Sequence, residues 1–171
     1  MRDMLVLTVI GSDRKGLVQS LAERISTVGG NWEESRMARL AGQFAGILRI
    51  TVDAHRTDEL LAALRSLDAA GLQVTAQKTT APTTEPAAIA IRVELTANDR
   101  PGIIRDVARI LAERGLNVEE LETEVREAPM SGEPLFTARA MVRAPASFQL
   151  HELRARLEAL GGELMVDLSS E

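Results

Sequence analysis

Two short segments carry the residues best suited to chemistry: Ser12-Asp13-Arg14-Lys15-Gly16-Leu17-Val18 and Asn98-Asp99-Arg100-Pro101-Gly102-Ile103-Ile104. Each joins an acid and a base to a glycine, and apolar residues at helical spacing follow at once. A helix that starts at Leu17 or Ile103 presents unpaired N–H groups with a partial positive charge, and the glycine lets a ligand approach the backbone closely. A small carboxylate suits such a turn. Pro101 fits the first helical turn. The competing reading is structural, with Asp13 and Asp99 capping the helices and the glycines serving only close packing. Asn31 and Asn117 follow glycine stops, where a short polar side chain often satisfies a turn. They are also placed to meet an amino acid's charged groups, on the expectation that the topology brings the start of the second strand beside the first.

Other chemistry is thin. His55 and His151 have no partner at a metal-binding or triad spacing, and both read as surface residues. Glu33-Glu34 and Glu119-Glu120 read as exposed strand positions rather than as general acid and base. No phosphate-loop or dinucleotide motif occurs, so no cofactor is expected. A rival reading is a small hydrolase of acylphosphatase type, using Arg14 or Arg100 with an amide. A third is an interaction module whose turns bind nothing.

The elements that must position these residues come from a repeat. At an offset of 86, Asp13, Arg14, Gly16, Ala22, Gly29 and Asn31 meet identical residues at Asp99, Arg100, Gly102, Ala108, Gly115 and Asn117. Leu17, Val18, Leu21 and Ile25 meet apolar equivalents without a gap. The stretch Thr79–Ala88, with two prolines and no large apolar side chain, reads as a linker. The expected domains are therefore 1–78 and 89–171.

Within each half, Leu5, Leu7 and Val9 or Ile91, Val93 and Leu95 alternate as a first strand, and an amphipathic helix of about three turns runs to Gly29 or Gly115. The pattern predicts a second strand from Trp32 or Val118 and a hairpin at Ala41–Gln43 or Ala128–Pro134. A third strand, a helix opened by Thr57 or Ser147 and closed by a glycine, and a short last strand complete the half. This is βαββαβ written twice. The fold class is α+β, with two ferredoxin-like domains whose antiparallel sheets carry helices on one face. The first strand of copy one is apolar on both faces, which predicts a sheet covered on both sides there and one wet face in copy two.

A net charge of −5 and a pI near 5.2 argue against direct nucleic-acid binding. Base stacking is disfavoured too, since the chain has three Phe, one Trp and no Tyr, with Phe44 and Phe136 assigned to the core. With no cysteine there are no disulfides or thiolate metal sites. No apolar run approaches the roughly 20 residues of a membrane helix, and the N-terminus lacks a signal-peptide pattern, so a cytoplasmic protein without membrane contact is expected. Halves of this size sit near the lower limit for a self-sufficient core, which predicts that they pack on each other or on a second chain, with a homodimer as the expected partner state.

At the DRxG turn, the apolar helix after it and the Gly-Leu-Asn-Val entry to the second strand, the chain resembles the ACT domain family of amino-acid-sensing regulatory modules. The resemblance is fullest in Asn98-Asp99-Arg100-Pro101-Gly102-Ile103-Ile104 and in Arg114-Gly115-Leu116-Asn117-Val118. It implies a non-catalytic regulator of transcription that binds a small amino acid effector, with glycine or serine as candidates, between ACT domains. Such a protein acts by contacting a regulator protein, without touching DNA. The ligand-binding positions carried over are Asp13, Arg14, Gly16, Leu17 and Asn31, then Asp99, Arg100, Gly102, Ile103 and Asn117. Lys15 stands where the family commonly has proline. Gly11 and Asp13, or Ala97 and Asp99, stand where some serine-binding members have histidine and asparagine. The second turn is thus expected to be the better ligand site.

Overall fold

A computed structural model describes residues 1–80, 88–128, 132–161 and 163–170, and the chain divides into two compact units, Met1–Thr83 and Thr84–Glu171. The expected linker has strand residues at both its ends, Thr79 and Ala88; its residues 81–87, like residues 129–131 of the second hairpin, lie outside the described residues.

The first unit runs β1 (Arg2–Ser12), α1 (Leu17–Thr27), β2 (Asn31–Leu40), β3 (Gln43–Asp53), α2 (Thr57–Arg65) and β4 (Leu72–Thr79). The second repeats it as β5 (Ala88–Asn98), α3 (Ile103–Glu113), β6 (Asn117–Glu127), β7 (Pro134–Pro145), α4 (Leu150–Glu158) and β8 (Met165–Ser170). Strand order is β2-β3-β1-β4 in one sheet and β6-β7-β5-β8 in the other, antiparallel throughout. Period-two alternation sends Leu5, Leu7 and Val9 of β1 and Leu48, Ile50 and Val52 of β3 to one face. There they meet Leu17, Leu21 and Ile25 of α1 and Leu60 and Leu64 of α2. Ile91, Val93 and Leu95 meet Val107, Ile110, Leu111, Leu153 and Leu157 in the same way.

The opposite face of the first sheet carries apolar residues too, as its alternation implies. Ile10 and Ile47 are 49% and 50% exposed on it. An apolar side chain at a period-two position says which residues share a face, and nothing about what lies over that face.

The second helices also begin differently from the pattern. The residue preceding α2 is Arg56, and the Thr57 hydroxyl donates to Asp3 Oδ2 at 2.7 Å instead of capping. Gln149 precedes α4 with no side-chain cap, leaving Ser147 in the turn before it. Asp3 accepts from Lys78 Nζ at 2.6 Å as well, tying β1, α2 and β4 together at that end of the sheet.

Both edge strands next to the first helices carry the same bulge, between Trp32 and Glu34 in β2 and between Val118 and Glu120 in β6. The extra residue is a glutamate held by its own sheet. Glu33 accepts from the Thr51 hydroxyl at 2.9 Å and forms an ion pair with Arg49 Nε at 3.2 Å. Glu119 takes both Arg143 nitrogens, at 2.9 and 3.2 Å. A bulge re-aims the strand that follows, and the repeated acid satisfies it electrostatically.

Candidate functional site

β1 ends with Ser12 opposite Gln43, so the first turn lies at the hairpin end of its unit. The Asp13 N–H donates to the Gly42 carbonyl at 2.8 Å, and its carboxylate pairs with Arg39 Nε at 2.7 Å. Arg14 reaches across to the short 3-10 turn before β4 and donates to the Ala70 carbonyl at 2.6 Å. Gly16 then opens α1 in the left-handed conformation, φ 87°, without any side-chain cap. The first bond of the helical ladder runs from Ser20 N–H to Gly16 O at 2.9 Å, so the N–H groups of Leu17, Val18 and Gln19 lie ahead of it.

The second turn has the same backbone and different side-chain partners. Asp99 N–H donates to Pro134 O at 2.9 Å, and Gly102 has φ 88°. Neither aspartate caps a helix. A Cβ on Gly16 would meet nothing within 4 Å, and one on Gly102 would meet only the Arg105 guanidinium, from 3.0 Å. Both glycines are therefore needed for their conformation, which costs other residues about 1–2 kcal/mol, and not for packing.

The electrostatics of the two helix starts differ. Asp106 sits in the first turn of α3, where Arg105 Nη2 reaches Oδ1 at 2.9 Å and Arg100 Nη1 reaches Oδ2 at 3.1 Å. These two guanidiniums, Arg105 foremost, hold the carboxyl below its usual range. The second unit thus keeps a carboxylate of its own at the positive end of its helix. The first unit has Ser20 at the matching position and no acid in the first turn of α1, while Asp13 is paired with Arg39 and the turn itself carries Arg14 and Lys15. On charge alone, the first helix start is the more receptive to an external anion. Pro101 in the second turn points the other way.

Asn31 and Asn117 are not brought to these turns. Asn31 pairs with Thr51 and Asn117 with Arg143, whereas the turns begin beside Gln43 and Leu135. Eight residues of strand separate the two places in each unit, about 27 Å at 3.3–3.4 Å per residue. The predicted residues fall into two sets at opposite ends: Asp13, Arg14, Gly16 and Leu17 against Asn31, and Asp99, Arg100, Gly102 and Ile103 against Asn117. The βαββαβ order places the start of the second strand at the far end of the helix from the turn. The expectation that the two would meet within one domain overlooked the length of α1 and α3.

The remaining candidates have structural positions. Arg14 and Arg100, the groups a hydrolase reading would use, donate to Ala70 O and Asp106. His55 and His151 are exposed, Phe136 is buried and Phe44 packs against the first core. Among the described residues no group of three or more His, Cys, Asp or Glu is placed to hold a metal ion, and no helix is long and apolar enough to cross a membrane. The first-turn acid Asp106 escaped the sequence reading, whereas Glu33 and Glu119 are the exposed strand positions expected, with the bulges at them not foreseen. Comparing the copies position by position, with Asp106 against Ser20, would have exposed that acid.

Two four-stranded antiparallel sheets, each with two helices and one glycine-opened helix start, define a tandem ferredoxin-like module. The ACT domain model matches residues 3–77 and again residues 91–162, and the chain belongs to this family, with two ACT domains in tandem. It is 25% identical over 162 residues to the glycine cleavage system transcriptional repressor of Escherichia coli (strain K12), covering 94% of this chain and 85% of that protein. A solved structure of an unknown protein from Galdieria sulphuraria is 31% identical, with a TM-score of 0.86 and coverage of 100% of this chain and 99% of that one. A candidate glycine cleavage system transcriptional repressor of known structure, 18% identical, shares the fold with a TM-score of 0.71, over 100% of this chain and 98% of that one. This is a regulatory ACT protein.

Proposed function

We propose that this chain senses a small amino acid, glycine or serine, and passes the signal by contact with a regulator protein rather than by binding DNA. The observation that carries the reading is the pair of helix starts opened by Gly16 and Gly102 at φ 87° and 88°. Their leading N–H groups suit a carboxylate, and α1 offers them without an internal competitor. The ammonium group then needs a partner, and Asn31 and Asn117 stand about 27 Å from the turn of their own domain, from eight strand residues. A complete site takes its turn from one ACT domain and its asparagine from another. That requirement makes ligand binding report on association, which is how a non-catalytic regulator can transmit a signal. The net charge of −5 and the similarity to a repressor both favour action through another protein. We place the protein in the cytoplasm, as a homodimer.

Calorimetric titration with glycine, serine and the branched amino acids tests the reading. Binding of glycine or serine is expected, weakened at least tenfold, about 1.4 kcal/mol, in the Asn31→Ala, Asn117→Ala double variant. Unchanged affinity in that variant sinks the two-domain site; no heat with any amino acid sinks the sensor.

A further inference from the structure

We propose that a hollow at the hairpin end of the first sheet, on the face away from its helices, binds an adenine nucleoside. This site is separate from the helix starts, and it stands or falls independently of the amino acid reading.

β1 runs between β3 and β4, and the registers set Ser12 opposite Gln43, Ile10 opposite Gln73 and Thr8 opposite Thr75. Directly opposed residues share a face, and these alternate with the core residues Leu7 and Val9. Ile10, Ser12, Gln43, Gln73 and Thr75 therefore all project away from the helices. Over them lies a hollow of about 660 Å³, closed at one end by Asp68 from the 3-10 turn before β4. That volume is within the range of about 300–1,000 Å³ common for small-molecule sites. β3 and β4 stand about 10 Å apart, two inter-strand spacings, so the two glutamines flank Ile10 from opposite sides.

The lining offers two amides, two hydroxyls and one carboxylate, with no lysine or arginine. Among the described residues none of these five side chains has a hydrogen-bond or ion-pair partner, so all of them are available to a ligand. A phosphate or a free carboxylate finds no cation here and meets the Asp68 charge. The ligand is uncharged at this end, and rich in hydrogen-bonding groups. A side-chain amide pairs a donor and an acceptor, the complement of the N7 and N6 edge of adenine, whereas guanine shows two acceptors there and suits arginine. Ile10 supplies an apolar floor for the face of the base. A carboxylate is the group that commonly accepts from ribose hydroxyls, the part that falls to Asp68.

The second unit separates what the fold makes from what the side chains make. The same place in its sheet has a hollow too, about 370 Å³, so the concavity follows from the shared backbone. Its registers set Asn98 opposite Leu135 and Thr96 opposite Met165, so Leu135 and Met165 stand where the first unit has Gln43 and Gln73. Thr96 stands in place of Ile10, and the Asn98 amide donates to Glu163 Oε2 at 3.4 Å. The paired amides over an apolar floor belong to the first unit alone.

Calorimetric titration of the full chain with adenosine, guanosine and AMP tests the site. Adenosine is expected to bind once per chain, about tenfold or more tighter than guanosine and no weaker than AMP. The double variant Gln43→Leu, Gln73→Met gives the first unit the lining of the second. It should lose about tenfold or more in adenosine affinity while keeping the parent circular dichroism spectrum and its response to glycine and serine. Asp68→Asn should weaken adenosine and leave 2′,3′-dideoxyadenosine unchanged. No heat with adenosine overturns the site, and so does guanosine bound equally well or a double variant with undiminished affinity. Two adenosines per chain, or AMP bound more tightly than adenosine, overturn the assignment to this uncharged lining. A response to glycine or serine has no bearing on these outcomes, so the two readings fail separately.

Discussion

The contrast between the two helix starts gives the sharpest test, through Ser20→Asp. This change installs on α1 the first-turn carboxylate that α3 has in Asp106. A ligand carboxylate held on the N–H groups of Leu17 and Val18 would stand roughly 6 Å from the new side chain, three to four residues at 1.5 Å rise with allowance for the side chain. Two unit charges at that distance repel by about 0.7 kcal/mol in water and about 3 kcal/mol at an effective dielectric of 20. The turn is exposed, so the lower part of that range applies, about 1 kcal/mol, or roughly fivefold in Kd. The same substitution places an acid at the positive end of a helix, which stabilises the fold by about 0.3–1 kcal/mol. Weaker binding then cannot be blamed on unfolding. The assay is calorimetric titration with glycine or serine at low salt and again in 1 M salt, where a screening length of about 3 Å should erase most of the difference. The reciprocal Asp106→Ser should strengthen binding at the second turn by a similar factor. An affinity unmoved by Ser20→Asp, or a loss that persists undiminished in 1 M salt, refutes the placement of the carboxylate on α1.

Gly16→Ala and Gly102→Ala should each destabilise the fold by about 1–2 kcal/mol, since both sites require φ near 90° and neither is crowded by backbone. Denaturant melts of the two should agree closely, and a neutral Gly16→Ala would show that the turn is freer than its geometry implies. Asp3 links stability to pH. Lys78 and then the Thr57 hydroxyl hold its carboxyl below the ordinary value of 3.8, so its contribution is complete above that value and is lost as pH falls through the lowered one. Asp3→Asn should melt earlier than the parent at neutral pH, with the two melting curves converging in acid. A constant gap down to strong acid would remove Asp3 from the account.

Much of the fold was legible because the repeat made each half check the other. The alternation of Leu5, Leu7 and Val9 and the helical spacing of Leu17, Leu21 and Ile25 identified elements that the sheet registers and core reproduce. Long-range placement was not legible. Nothing local tells that Asn31 stands opposite Thr51 while Ser12 stands opposite Gln43, because strand pairing couples residues far apart in sequence. Caps were overread for a related reason. Thr57 has good capping chemistry, but a carboxylate 54 residues away, Asp3, competes for its hydroxyl and takes it. The turn glycines were recognised as important for an incomplete reason. Spacing marks a glycine, and only the dihedral shows that backbone handedness and not crowding demands it.

The copies agree in backbone and differ in charge, and the pattern of difference bears on how one module came to serve two roles. The glycine dihedrals at 16 and 102 and the bulges at Glu33 and Glu119 match because changing either would disturb the path of the chain. Side chains on the finished backbone are free of that constraint. The second unit has Asp106 at its helix start and glutamates along β6. The first unit has Ser20 at the corresponding place, and no acid stands in the first turn of its helix. Ser12, which opens the turn, and Gln73 and Thr75 of β4 line the same hollow. Arg14, anchored to Ala70, crosses from the turn to the chain just before β4. A ligand that draws Arg14 away from Ala70 would loosen the 3-10 turn that leads into the edge strand. On the proposed sensor reading, effector binding at the turn would then act on one short segment, Asp68–Leu72, at the end of the sheet next to β4.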